Sequence, residues 1–172
     1  MQVMAVVGTK RSGKTTTIEN LTKELTKRGY KVAVIKHISE PDFTIDTPGK
    51  DTWRYAQAGA KTTIIAATNE TTTIEKTTIN PPLETLLKKC TNNDIVFIEG
   101  MKKIVAQNKK IPKIAVVKSK TEAENATETY KPILAFSGPY NTTTRYPSIL
   151  YANALTNPQK LTDTIEKTTF KK

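Results

Sequence analysis

The chain has 172 residues, 37% hydrophobic and 25% charged, with a formal net charge of +11 and a single cysteine, Cys90. At this size one domain spanning residues 1–172 with a full core is expected, no intramolecular disulfide can form, and no apolar run approaches the roughly 20 residues of a membrane helix. The N-terminus enters a strand directly, without the layout of a signal peptide, so the expected compartment is the cytoplasm.

In chain order, Val3 to Val7 reads as a short buried strand. The segment after it, Gly8-Thr9-Lys10-Arg11-Ser12-Gly13-Lys14-Thr15, is a complete G-x-x-x-x-G-K-[ST] phosphate loop. A helix is predicted from Lys14 to Arg28, with Ile18, Leu21 and Leu25 on one face, Glu24 and Arg28 paired at i,i+4, and Gly29 as its cap. Lys31 to Lys36 is a second strand, and His37 to Gly49 is irregular because Pro41 and Pro48 break any long element. Lys50 to Ala58 predicts a helix ended by Gly59, Lys61 to Thr68 a third strand, and Glu70 to Thr78 a β-prone, threonine-rich stretch. Pro82 opens a short helix through Leu83, Leu86 and Leu87. Asp94 to Glu99, Ile114 to Val117 and Ile133 to Phe136 are further strands, and Pro158 to Phe170 is a closing helix with Leu161 and Ile165 inward. This alternation predicts an α/β fold with a doubly wound, mainly parallel sheet.

The chemistry starts from the loop. Gly8 and Gly13 let the backbone wrap closely, so that successive N–H groups form an anion nest at a helix N-terminus. Lys14 supplies a mobile positive charge for the terminal phosphates, and Thr15 offers a hydroxyl to Mg²⁺. Thr9, Lys10, Arg11, Ser12 and Thr16 complete the predicted nucleotide contacts. A second signal is Ile95-Val96-Phe97-Ile98-Glu99-Gly100, a buried strand ending in a carboxylate at the sheet edge where the loop lies, which reads either as a group that holds Mg²⁺ directly or through water or as an ordinary solvent-facing strand end. Lysines 102, 103, 109, 110, 113, 118 and 120 occupy a stretch with no acidic residue. They read either as a solvated surface or as recognition of an anionic small molecule or acidic partner; no aromatic pattern accompanies them, which disfavours nucleic acid. Cys90 reads as a small buried hydrophobe.

Beyond the loop, Lys27-Arg28-Gly29-Tyr30-Lys31-Val32-Ala33-Val34-Ile35-Lys36-His37, then Phe43-Thr44-Ile45-Asp46-Thr47-Pro48-Gly49-Lys50-Asp51-Thr52-Trp53-Arg54-Tyr55, Ala58-Gly59-Ala60, Ile95 to Met101 and Pro112-Lys113-Ile114 resemble the MobB family in order and spacing. The likeness covers about the first two thirds of the chain. It implies a P-loop NTPase fold, bound GTP with Mg²⁺, and a weak GTPase that acts mainly as an adaptor in molybdopterin-guanine dinucleotide synthesis. The implied partners are a MobA-like molybdopterin guanylyltransferase, molybdopterin itself and a second copy of the chain. It also implies Thr15, Asp46 and Glu99 around the metal and Lys14, Asp46 and Glu99 in hydrolysis.

On the residues alone, Asp46 before Thr-Pro-Gly is equally a turn residue, and His37 at its strand end suits either the nucleotide edge or a structural hydrogen bond. Trp53 and Tyr55 fit packing or dimer contact better than base stacking. The chain also departs from related patterns. Its extra loop lysine is Lys10, third in the motif rather than second as in the deviant ATPases. Val117-Lys118-Ser119-Lys120 lacks the Asp of an N/T-K-x-D element, and Gly138 follows Ser137 where MobB relatives often carry Asp. GTP over ATP therefore rests on the resemblance. The alternative reading is a P-loop phosphotransferase acting on a small substrate.

Overall fold

The structure is a computed structural model and describes residues 1–170. Two compact units emerge from its contacts, one formed by residues 1–37 and 86–170 and the other by residues 38–85.

The first unit is built on six strands: β1 (Gln2–Val7), β2 (Val32–Lys36), β5 (Ile95–Glu99), β6 (Lys113–Val116), β7 (Ile133–Ser137) and β8 (Leu150–Tyr151). Their order is β2-β5-β1-β6-β7-β8, and every neighbouring pair is parallel. This is the P-loop NTPase arrangement, with the strand that feeds the phosphate loop in the interior of the sheet. Helices α1 (Lys14–Lys27), α4 (Lys102–Val105), α5 (Lys120–Thr129) and α6 (Pro158–Thr169) belong to the same unit.

The predicted face of α1 is the buried one: Ile18, Leu21 and Leu25 join Met4, Phe97, Ile114, Leu161 and Ile165 in a single apolar core. Arg28, just past the end of α1, ties that helix to α6, donating to Asp163 at 2.7 Å and Glu166 at 2.6 Å while keeping its i,i+4 contact with Glu24 at 2.9 Å. The closing helix starts at Pro158 in the first turn, and Asn157 caps it by accepting from the Lys160 N–H.

The second unit holds α2 (Asp51–Gln57), β3 (Thr62–Ala66) and β4 (Thr71–Glu75), while α3 (Leu83–Lys88) begins in it and ends in the first unit. The mainly parallel sheet expected from the sequence is the six-stranded one of the first unit, and among the described residues β3 pairs with β4, antiparallel, in a sheet of its own. The reason is loop length. Ala67 donates to Glu70 at 2.8 Å across a tight turn, whereas a parallel return needs a crossover of a dozen residues or more.

Further differences emerge, the short α4 and β8 among them. Helix α5 was absent from the sequence reading, although Ser119 accepts from the Glu122 N–H at 3.2 Å in the Ser-x-x-Glu pattern of a capping box. Cys90 is half-buried rather than buried. Lys113, counted among the surface lysines, is wholly buried, and its Nζ donates to the carbonyls of Asn108 at 2.7 Å and Lys131 at 2.6 Å. Burial lowers its pKa below the ordinary lysine value. No described helix is long and apolar enough to cross a membrane.

Candidate functional site

A chain leaving the end of a parallel strand must turn sharply to enter a helix, and between β1 and α1 residues 8–13 make that turn. Gly8 has φ +151° and lies against β6 so closely that an added Cβ would stand 2.4 Å from the Val116 carbonyl oxygen. Only glycine fits there. Gly13 (φ 99°) precedes the helix, where its carbonyl accepts from the Thr17 N–H at 2.9 Å. Arg11 takes φ 59° without being glycine, and Met101, two residues past Glu99, takes φ 52°. These are the two non-glycine residues with positive φ among those described, one inside the loop and the other just past the β5 terminus. Such conformations cost on the order of 1 kcal/mol or more and gather where a ligand site dictates the backbone.

Inside the loop, Lys14 reaches back to donate to the Thr9 carbonyl at 2.5 Å. Burial pulls the Lys14 ammonium below the ordinary lysine value; the Glu99 carboxylate opposes that, and Lys118 and Lys36 reinforce it. Thr15, the first residue after Lys14 on α1, places its Oγ1 3.2 Å from both Glu99 oxygens. Parallel register explains the meeting, since Val6 on β1 is paired with Glu99 on β5. Lys36 at the end of β2 approaches the same carboxylate at 3.8 Å. A hollow of about 400 Å³ is lined by residues 10–16 and Glu99.

His37 is placed by its backbone. Its N–H donates to the Glu99 carbonyl at 2.9 Å, and its Cβ lies 3.0 Å from where a Cβ on Gly100 (φ +96°) would be.

Two residues that sequence reasoning passed over also belong here. Glu122, on α5, accepts from Thr9 Oγ1 at 2.9 Å and from the Lys118 N–H at 2.8 Å, with Lys118 Nζ at 3.5 Å. Burial would raise its pKa, but those hydrogen bonds and the Lys118 charge hold it below the usual carboxylate value. A cavity of about 350 Å³ opens beside Gly8 and Thr9, with Lys102, Asn125 and Tyr130 on its wall. The signal that could have found Glu122 is the capping box itself. Asn153 is the second residue, and nothing in its sequence context marks it; it lines a further hollow on the flank of the loop.

Asp46 lies in the second unit. Its Oδ1 accepts from the Thr47 N–H at 3.0 Å and from Thr52 Oγ1 at 2.7 Å, as a turn residue would. Its Oδ2 is buried and has no hydrogen-bond partner among the described residues. Trp53 is half-buried and Tyr55 exposed on α2. Of the lysine stretch, Lys102, Lys103, Lys109, Lys110, Lys118 and Lys120 are exposed, and Lys113 is withdrawn into the core.

Residues 3–138 match the family model MobB, molybdopterin guanine dinucleotide synthesis protein B. A Methanocaldococcus jannaschii protein assigned as a molybdopterin-guanine dinucleotide biosynthesis adapter protein is 42% identical over 122 residues, covering 70% of this chain and 49% of that protein. The Haemophilus influenzae molybdopterin-guanine dinucleotide biosynthesis adapter protein is 35% identical over 114 residues, 65% of this chain and 61% of its own length. The matches thus span about half to three fifths of those relatives. Among solved structures, Bacillus subtilis MobB superimposes with a TM-score of 0.75 at 22% identity, covering 97% of both chains, which shows the shared fold.

Proposed function

The chain belongs to the MobB family of molybdopterin guanine dinucleotide synthesis proteins, and we propose that it is a GTP-binding accessory protein of that synthesis, a slow Mg²⁺-dependent GTPase that assists the guanylyltransferase. The observation that carries this reading is the convergence of the Thr15 hydroxyl and the Glu99 carboxylate at 3.2 Å at the foot of the phosphate loop. Both are hard oxygen donors. Among the described residues no group of three or more His, Cys, Asp or Glu forms a metal cage. Two protein oxygens, with phosphate and water completing the shell, is the way Mg²⁺ is usually held. When bound, the ion would neutralise charge on the terminal phosphate oxygens.

The chain's own residues do the rest. Backbone N–H groups of residues 9–13 cradle the phosphates, and Lys14 exchanges its bond to the Thr9 carbonyl for the terminal phosphate oxygens. Glu99 fixes the Thr15 hydroxyl, and a metal role for Asp46, whose Oδ2 has no hydrogen-bond partner among the described residues, rests on the family resemblance. Exposed Lys102 and Lys103, which open α4 three residues after Glu99, would meet an acidic face of the transferase or the phosphate of a pterin. The exposed apolar side chains of the second unit, Ile45, Tyr55, Ile64 and Ile79 among them, support a second copy of the chain as their cover.

A second reading, a phosphotransferase with a small acceptor, is favoured by the 350 Å³ cavity beside Gly8 and Thr9. Phosphate release in the absence of any acceptor separates the two. The test of the site is calorimetry with Mg²⁺·GTP: Lys14→Ala is expected to weaken binding at least tenfold, about 1.4 kcal/mol, in a protein that still folds. Unchanged affinity would remove the loop from nucleotide binding.

A further inference from the structure

Glu122 makes a contact that its place in α5 does not call for. In a capping box the glutamate three residues into the helix returns to the N–H of the capping residue, here Ser119. Glu122 instead takes the Lys118 N–H at 2.8 Å with one carboxylate oxygen and sends the other out of the helix to Thr9 Oγ1 at 2.9 Å, 113 residues away in the chain. Its side chain is 19% exposed, so water competes little for either bond.

Around that contact, the corner between β6 and α5 grips the first half of the phosphate loop at three successive residues. Gly8 packs on the Val116 carbonyl, Thr9 is held by Glu122, and the Lys10 carbonyl accepts from Lys118 Nζ at 3.5 Å. Lys118 Nζ also lies 3.5 Å from Glu122, which joins the last two grips in one network. The second half of the loop is anchored separately, by the entry of Gly13 into α1 and by the contact of Thr15 with Glu99. Thr9 is the pivotal residue, because its carbonyl accepts from both the Ser12 N–H at 3.3 Å and Lys14 Nζ at 2.5 Å. Holding its side chain restrains the peptide on which Lys14 rests.

We propose that Glu122 is a positioning residue for the phosphate loop, holding Thr9 so that the N–H nest and Lys14 are ordered before phosphate arrives. The inference rests on the nucleotide reading of the loop. A carboxylate cannot serve a phosphate directly, because like charges repel, and Glu122 acts through the neutral Thr9 hydroxyl. Its physical basis is preorganisation: backbone freedom already given up in the free protein need not be lost on binding. The effect belongs to the phosphates and not to the base, so inorganic tripolyphosphate should register it as fully as GTP.

The experiment is titration calorimetry of the full chain, with Mg²⁺ fixed, against GTP and inorganic tripolyphosphate. It compares the unmodified protein with Thr9→Val, Glu122→Ala, Glu122→Gln and the Thr9→Val/Glu122→Ala double variant. Thr9→Val and Glu122→Ala are each expected to weaken both ligands at least fivefold. The double variant should fall within twofold of the weaker-binding single, because one contact can be broken only once. Glu122→Gln retains one acceptor oxygen and should lie between the unmodified chain and Glu122→Ala. Losses that multiply in the double variant would mean that the Thr9 hydroxyl and Glu122 act separately, and overturn the inference. Unchanged affinity in folded Thr9→Val, or a loss seen with GTP and absent with tripolyphosphate, overturns it as well. If Glu122→Ala does not fold, Glu122→Gln takes its place in the cycle with Thr9→Val, and the same non-additivity is required. Should the unmodified chain bind neither ligand, the nucleotide reading falls and this inference with it; should every variant bind both as the unmodified chain does, the inference alone falls.

Discussion

The unit of residues 1–37 and 86–170 and the unit of residues 38–85 spend their apolar side chains in opposite ways. In the first, Met4, Leu21, Phe97, Ile114 and Ile165 are wholly buried around a six-stranded parallel sheet. In the second, Asp46 and Leu83 are the buried side chains among the described residues, while Ile45, Ile64 and Ile79 stand 77%, 66% and 74% exposed. A two-stranded hairpin has one ladder of backbone hydrogen bonds and is marginal on its own. The difference teaches where the two kinds of work are located. The first unit closes a core of its own around the strands that hold the loop, and the second presents exposed apolar area, the kind of surface that interaction sites use.

The sharpest test sets one core residue against one hairpin residue. Leu21→Ala opens a cavity in the first unit and is expected to cost about 2–5 kcal/mol in urea unfolding. Ile64→Thr exchanges an exposed β-branched side chain for another and should stay within about 0.5 kcal/mol in dilute protein, its effect appearing as weaker self-association in sedimentation. An Ile64→Thr cost equal to that of Leu21→Ala in monomeric protein would erase the contrast.

A smaller effect is expected at Lys113, a charge inside the frame. Lys113→Met removes the donor to the Lys131 carbonyl, for which a loss of about 1–3 kcal/mol is expected at neutral pH. Its pH dependence has a definite sign. Burial lowers the native pKa below the 10.5 of an ordinary lysine, so as pH rises the native state gives up this proton before the unfolded chain does. The unfolded chain then binds more protons, and the native lysine gains relative stability as pH climbs towards 10.5. Urea midpoints of the two proteins should therefore separate further at alkaline pH. A gap that closes instead would mean that the charge is stabilising where it sits.

These examples also mark what a sequence can reveal. The phosphate loop, the buried face of α1, the Gly29 stop and the strand ending in Glu99 were legible because each is a local pattern with a local cause. Lys113 was not, because its burial depends on two carbonyls, one of them 18 residues away, and lysines on either side made it look like surface. The β3–β4 pairing turned on four residues, Ala67 to Glu70, whose brevity forbids a parallel return. Helix α5 was signalled by Ser119 and Glu122 but has only Ala123 and Ala126 buried, too faint a stripe for periodicity to register. Asn153 belongs to no motif and becomes meaningful only through the hollow it lines.

The last prediction asks whether the second unit takes part in the chemistry at all. Asp46→Asn is nearly isosteric and keeps Oδ1 available to the Thr47 N–H and Thr52 Oγ1, so the turn should survive with little change in stability. What changes is Oδ2, the buried oxygen without a hydrogen-bond partner among the described residues, which becomes an amide nitrogen that cannot ligate a cation. If that oxygen helps organise the metal and the attacking water, GTP affinity should move less than threefold while single-turnover phosphate release falls at least tenfold. Glu99→Gln, in the rigid frame, should lower both affinity and release, since it alters the partner of Thr15 in the ground state as well. Equal phosphate release from Asp46→Asn and the unmodified chain would confine the chemistry to the first unit and leave Asp46 as a turn residue.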